Sequence, residues 1–104
     1  MPDFLQVLTT AGSKDEAERI SASLVERRLA ACVQVLGPIA SRYRWQGEIE
    51  TADEWICVAK TEASRYAELE AAIRELHSYE EPEIVATRIV AGSAGYLTWI
   101  EENL

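Results

Sequence analysis

The chain has 104 residues, 48% of them hydrophobic and 27% charged, with a formal net charge of -8. That length fits one domain with one core, residues 1–104, and the composition excludes a disordered chain. Phosphate surfaces need clustered cations; 10 basic residues stand against 18 acidic ones, with Arg42 and Arg44 as the densest basic cluster, so neither nucleic acid nor an anionic membrane is an expected partner.

No apolar run approaches the roughly 20 residues of a spanning helix. Met1 to Gln6 has neither the basic start nor the long apolar stretch of a signal peptide. A cytoplasmic location is expected. Cys32 and Cys57 lie in apolar, strand-like contexts and read as free thiols in a reducing compartment, with Cys57 in the core.

Leu5 to Thr9 is a short apolar run that reads as a strand. Ala11-Gly12 ends it. Ser13-Lys14-Asp15-Glu16 reads as a capping box, in which Glu16 reaches back to the Ser13 N–H. A helix follows to about Leu29, with Ala17, Ile20 and Leu24 on its apolar stripe and Arg27 and Arg28 in its last turn. Ala31 to Trp45 is a long β-type segment, interrupted at Gly37-Pro38 by a bulge or an edge bend. Gln46-Gly47 makes a two-residue hairpin turn. Glu48 to Thr61 returns as a second long strand, with an irregularity expected at Thr51 to Asp53. Trp55, Cys57 and Ala59 point to one face of it, and Glu54, Ile56, Val58 and Lys60 to the other. Glu62 to His77 reads as a helix, Glu83 to Val90 as a fourth strand, and Ser93 caps a short terminal helix. The order β-α-β-β-α-β with an extra C-terminal helix is an α+β, ferredoxin-like sandwich.

The two middle strands are long for this layout. Fourteen residues at about 3.3 Å each span on the order of 45 Å. A helix over Glu62 to His77 covers only about 24 Å. The overhang carries Ile39, Tyr43, Trp45 and Ile49, and an isolated ribbon with such a surface is marginal in water. Another copy of the chain covering it is the simplest remedy, and this reading does not choose a dimer over a trimer. The alternative is a terminal helix folded back over the overhang.

Several segments, in order along nearly the whole chain, resemble one family. Ala30-Ala31-Cys32-Val33-Gln34-Val35 is similar to its ACVN-type strand. Ser41-x-Tyr43-x-Trp45-x-Gly47-x-Ile49 fits its hairpin, and Lys60-Thr61 follows. His77-x-Tyr79-x-x-Pro82-Glu83-Ile84 and Gly92-x-x-x-Tyr96-x-x-Trp99 complete the match. The chain resembles the CutA divalent-cation tolerance proteins. The resemblance implies a homotrimer akin to PII signalling proteins, a cytoplasmic setting, and tolerance to copper and other divalent metals. Some members carry an additional Cys where this chain has Thr9, so a copper site built on that thiol does not carry over. PII proteins use a long loop between their second and third strands, where this chain has only Gln46-Gly47.

Candidate site residues follow. His77 is the only histidine, at an expected helix end. It reads either as a structural cap or, with Glu80, Glu81 or Glu83, as a metal ligand or proton carrier. Cys32 is the soft donor that copper favours, so Cys32, His77 and Glu83 form the candidate metal set. Lys60 reads as a solvated strand end, or as an anion-binding residue with Tyr79 and Trp45 in a cleft between subunits. The chain has no GxSxG, P-loop or GxGxxG motif, and no nucleophile–base pair is visible. No enzyme and no organic cofactor are expected. The leading expectation is a trimer binding copper or another divalent cation. The alternative is a PII-like sensor or scaffold for a small anionic metabolite.

Overall fold

The structure is a computed structural model and describes residues 2–104. Four strands, β1 (Phe4–Ala11), β2 (Cys32–Trp45), β3 (Glu48–Glu62) and β4 (Ile84–Arg88), make one sheet in the order β2-β3-β1-β4. All three pairings are antiparallel. Three helices complete the fold: α1 (Lys14–Glu26), α2 (Tyr66–Leu76) and α3 (Ala94–Glu102).

The core forms between one sheet face and two amphipathic helices. Val7 and Ala59 come from the central strands, Ile20 and Leu24 from α1, and Leu69, Ala72 and Ile73 from α2. A smaller cluster of Ala11, Ala17 and Cys57 lies beside it, with Trp55 packed against it. Trp55, Cys57 and Ala59 thus share the helix-covered side, as their alternation requires.

Element ends differ from the sequence reading for local reasons. β1 runs on through Ala11 because its partner β3 stays in register to Trp55. α1 stops at Glu26, three residues before the expected end. Arg28 takes a left-handed conformation, φ 56°. Its N–H donates to the Val25 carbonyl at 3.1 Å, and the Leu29 N–H donates to that of Leu24 at 3.0 Å. These are the paired closing bonds of a Schellman motif, with Leu29 packed back towards Leu24. Arg27 and Arg28 therefore stand beyond the last turn rather than in it. β3 continues through Glu62, and a 3₁₀ turn at Ala63–Arg65 precedes α2. β4 is shorter than Glu83 to Val90 because its partner β1 begins only at Phe4.

The β2–β3 hairpin is paired in unbroken register from Ile39 opposite Glu54 to Trp45 opposite Glu48. The irregularity expected at Thr51 to Asp53 is absent; those residues face Arg42, Ser41 and Ala40. The bulge is at Gly37 and Pro38, which together oppose Trp55. Proline is tolerated there because β2 is an edge strand. Gly37 is required by the indole: a Cβ at this position would stand 2.4 Å from Trp55 Cδ1. Gln46 and Gly47 both have positive φ, 49° and 82°, the type I′ geometry whose twist matches the strands.

The molecule measures 45 × 25 × 22 Å, and the hairpin accounts for its length. Trp45 is 59% exposed and Ile49 64%, so α3 does not fold back over the hairpin tip.

Candidate functional site

The segment from His77 to Glu83 leaves α2 and returns the chain to β4. His77 is the C-cap of α2; its N–H donates to the Ile73 carbonyl at 2.9 Å. The cap bond is made by the backbone, and the ring reaches elsewhere. Its Nε2 lies 2.7 Å from the Thr10 carbonyl oxygen on β1, and its Nδ1 accepts the Tyr79 N–H at 3.0 Å. The Tyr79 ring lies 4.8 Å from the imidazole and rests on Gly12, where a Cβ would stand 3.0 Å from the phenol oxygen. The Tyr79 hydroxyl donates to Glu54 Oε2 at 2.9 Å. Burial first, then the bond and charge of Glu54 and the charges of Glu16 and Tyr43, push this phenol up to about 12.

Two buried carboxylates anchor this segment. Glu16 is 5% exposed and Glu54 9%. The Ser13 hydroxyl accepts the Glu16 N–H at 3.1 Å, which is the expected half of a capping box. The Glu16 carboxylate instead turns inward and accepts the Ser78 N–H at 2.7 Å. Burial alone would raise its pKa. The bonds from Ser78, the charge His77 carries when protonated and the Gly12 backbone outweigh burial, and the group sits below the usual carboxylate value. Glu16 therefore stays ionised and holds its donor.

Cys32 and Lys60 occupy a different place. They face each other across β2 and β3. Cys32 is half-buried and free. The thiol lies beside the Tyr96 phenol of α3, which burial first and then the thiol push up; Tyr96 in turn stacks on Trp99 at 5.7 Å. The Lys60 ammonium donates to Gln34 Oε1 at 2.9 Å. Cys57 is in the core as expected, its thiol donating to the Ala17 carbonyl at 3.4 Å; burial first, then Glu16, push it up to about 11.

One chain does not bring the predicted residues together. Cys32 shares a rung with Lys60 and Gln6, whereas His77 is tied to Thr10, four residues further along β1. That separation is about 13 Å along the strand and about 10 Å across two strand spacings. Glu83 is exposed, just before β4. Among the described residues, no group of three His, Cys, Asp or Glu could hold a metal ion. Both ring nitrogens of His77 are already bonded, so a closed metal site does not fit these residues within one chain. Trp45 pairs with Glu48, twelve residues from Lys60 along β3, about 40 Å away. Lys60 and Trp45 stand towards opposite ends of the hairpin, and the Tyr79 hydroxyl meets it between them, at Glu54. Two surface hollows lie elsewhere, one by Asp15, Glu18 and Arg19 and one by Phe4, Arg88 and Leu97.

Residues 5–103 match the family model described as CutA1 divalent ion tolerance protein. The chain belongs to the CutA1 family. The divalent-cation tolerance protein CutA of Thermus thermophilus is 42% identical over 97 residues, covering 93% of this chain and 94% of its own length. The crystal structure of CutA from Xylella fastidiosa gives a TM-score of 0.95 at 40% identity and covers 97% of each chain. A structure from Archaeoglobus fulgidus, described as a periplasmic divalent cation tolerance protein CutA, gives 0.93 at 40% identity, covering 96% of this chain and 97% of its own. The mixed α+β fold, with four antiparallel strands and three helices, is that of these CutA structures. The names of the Thermus and Archaeoglobus proteins denote divalent-cation tolerance.

Membership in the CutA1 family accounts for the motif residues but not for their partners. Glu16, Glu54 and Gln34 hold Ser78, Tyr79 and Lys60 in place, and sequence reasoning missed all three in that role. Glu16 did carry a signal, as an acidic residue in a first helical turn, but a local cap explained it. Glu54 and Gln34 carried none, since their partners are 25 and 26 residues away.

Proposed function

We propose that this CutA1 protein acts in divalent-metal tolerance as a cytoplasmic homotrimer of ferredoxin-like subunits, binding copper or another divalent cation where copies meet. The observation that carries the reading is the uncovered hairpin tip, with Trp45 and Ile49 turned to solvent in a chain of a tolerance family. A strand order of β2-β3-β1-β4 supports the ferredoxin-like description. Cys32 supplies the soft donor, because it is half-exposed and uncommitted to the core. Donors from a second copy complete the set, since the described residues of one chain lack it. His77 is not among them, because both of its nitrogens are in use. The free thiols Cys32 and Cys57 suit a reducing compartment.

Light scattering tests the assembly; a mass three times the 11.6 kDa chain is expected, and a stable folded monomer at micromolar concentration rejects it. Titration calorimetry of metal-free protein with copper tests the site. Saturable binding is expected in wild type and in His77→Gln, and its loss in Cys32→Ser. Binding of equal strength in Cys32→Ser rejects Cys32 as the donor.

A second reading is a PII-like sensor for a small anionic metabolite. Lys60 favours it: its ammonium donates to Gln34 and makes no ion pair with any described residue. Against it stands the two-residue turn at Gln46 and Gly47, which leaves no long loop for partner control. A thermal-shift screen of anionic metabolites decides; a hit that stabilises Lys60→Ala as much as wild type removes Lys60 from the reading.

A further inference from the structure

The bonds around His77 define the protonation state of the ring. The Thr10 carbonyl can only accept, so Nε2 must carry a hydrogen. The Tyr79 backbone N–H can only donate, so Nδ1 must be bare. Only the neutral imidazole, in its Nε2–H form, satisfies both neighbours. A charged ring carries hydrogen on both nitrogens. Its Nδ1–H would then meet the Tyr79 N–H at 3.0 Å, donor against donor.

We propose that residues 77–83 form a strap closed over the start of α1 with His77 neutral, and that acidification releases its Tyr79 end. The strap has three fastenings to the body of the fold: the His77 ring on Thr10 of β1, the Ser78 N–H on Glu16 of α1, and the Tyr79 hydroxyl on Glu54 of β3. The third depends on a bare Nδ1, because the Tyr79 N–H bond to that atom sets the turn that aims the phenol over Gly12 to Glu54, whereas the first survives protonation, since Nε2 keeps its hydrogen. Losing the Nδ1 acceptor leaves Tyr79 aimed by nothing local.

The charges facing the ring do not restore the lost acceptor. From α1, the Glu16 carboxylate attracts an imidazolium, but it already receives the Ser78 N–H. From β3, Glu54 reaches only the Tyr79 hydroxyl. β1 offers the Thr10 backbone and no ionisable group at this point. On α2, Arg74 is paired with Glu70 and Glu81. On the strap itself, the Tyr79 ring lies tilted against the imidazole and Glu80 is exposed. A charged ring is therefore drawn towards Glu16 while its bond to Tyr79 is lost. Imidazole is the ordinary side chain that changes charge between pH 5 and 8, and that range frames the test.

The test is nuclear magnetic resonance on the intact protein in its native assembly, from pH 8 to pH 5. At pH 8 the ¹⁵N shifts of His77 should report the Nε2–H form. The Tyr79 amide, corrected for intrinsic exchange, should be protected at least tenfold more at pH 8 than at pH 5. In His77→Gln, which cannot take up the charge, that difference should vanish. A ring in the Nδ1–H form at pH 8 overturns the proposal. So does equal wild-type protection at both pH values, or a pH dependence that survives in His77→Gln. The wild-type titration decides the matter even if the variant fails to fold.

Discussion

The two halves of the β2–β3 hairpin share one backbone ladder and differ in what lies against it. Near the chain's core, Cys57 and Ala59 are buried under α1 and α2, and Val33 and Val35 pack beside them. Beyond the Gly37–Pro38 bulge, Tyr43, Trp45 and Ile49 are exposed. The near half has its register fixed by burial, since a one-residue slip would turn Cys57 and Ala59 to the wrong face. The far half has its register fixed only by backbone pairing and by the turn at Gln46 and Gly47. A two-stranded ribbon held this way is marginal alone. The comparison therefore locates the unmet need of the fold in the far half, and it can be tested residue by residue.

The largest contrast comes from making one chemical change at both ends. Ile73→Ala removes a side chain that is 1% exposed in the main core and is expected to cost about 2–5 kcal/mol. Ile49→Ala acts on an exposed tip and is expected to change the folding of the chain by less than about 0.5 kcal/mol. Urea unfolding at several protein concentrations separates the two. The Ile73 loss should be independent of concentration. The Ile49 loss should appear as weaker assembly, growing on dilution, because association adds to apparent stability by mass action. A large, concentration-independent loss in Ile49→Ala would mean that the tip is covered within its own chain.

A smaller effect is expected at the boundary between the halves. Gly37→Ala would place its methyl carbon 2.4 Å from the Trp55 indole. Either the indole or the bulge must move, at an expected cost of about 1–3 kcal/mol. Near-ultraviolet circular dichroism should show the Trp55 environment change along with the melting temperature. An unchanged tryptophan signal would mean that the bulge, and not the indole, absorbs the methyl.

What was legible in the sequence follows the same division between local and distant causes. Element order, the hairpin turn, the bulge at Gly37-Pro38 and the inward face of Trp55, Cys57 and Ala59 all rest on local chemistry or period-two alternation, and the structure has them. The residues of the candidate site were legible as family motifs, but their connections were not. Tyr79 finds Glu54 and Ser78 finds Glu16 only after the sheet has formed. The expected meeting of Cys32 with His77 failed within one chain for a topological reason. β3 stands between the strand of Cys32 and β1, which holds the His77 ring, and no spacing in the sequence encodes strand order.

Arg28 shows how a local feature can also be hidden, and it yields the smallest prediction. This residue delivers the chain from α1 into the near half of the hairpin, through a left-handed cap that ordinarily takes glycine. An arginine there carries no sequence signal for a helix end, which is why the helix read three residues too long. A side chain with a Cβ costs about 1–2 kcal/mol in this conformation. Glycine would remove that cost but bring a more flexible unfolded chain, which offsets part of the gain. Arg28→Gly is therefore expected to stabilise the protein by about 0.5–1 kcal/mol, in a concentration-independent way, since the cap belongs to the half that one chain completes by itself. A loss of stability instead would show that the arginine side chain holds a contact that outweighs its backbone strain.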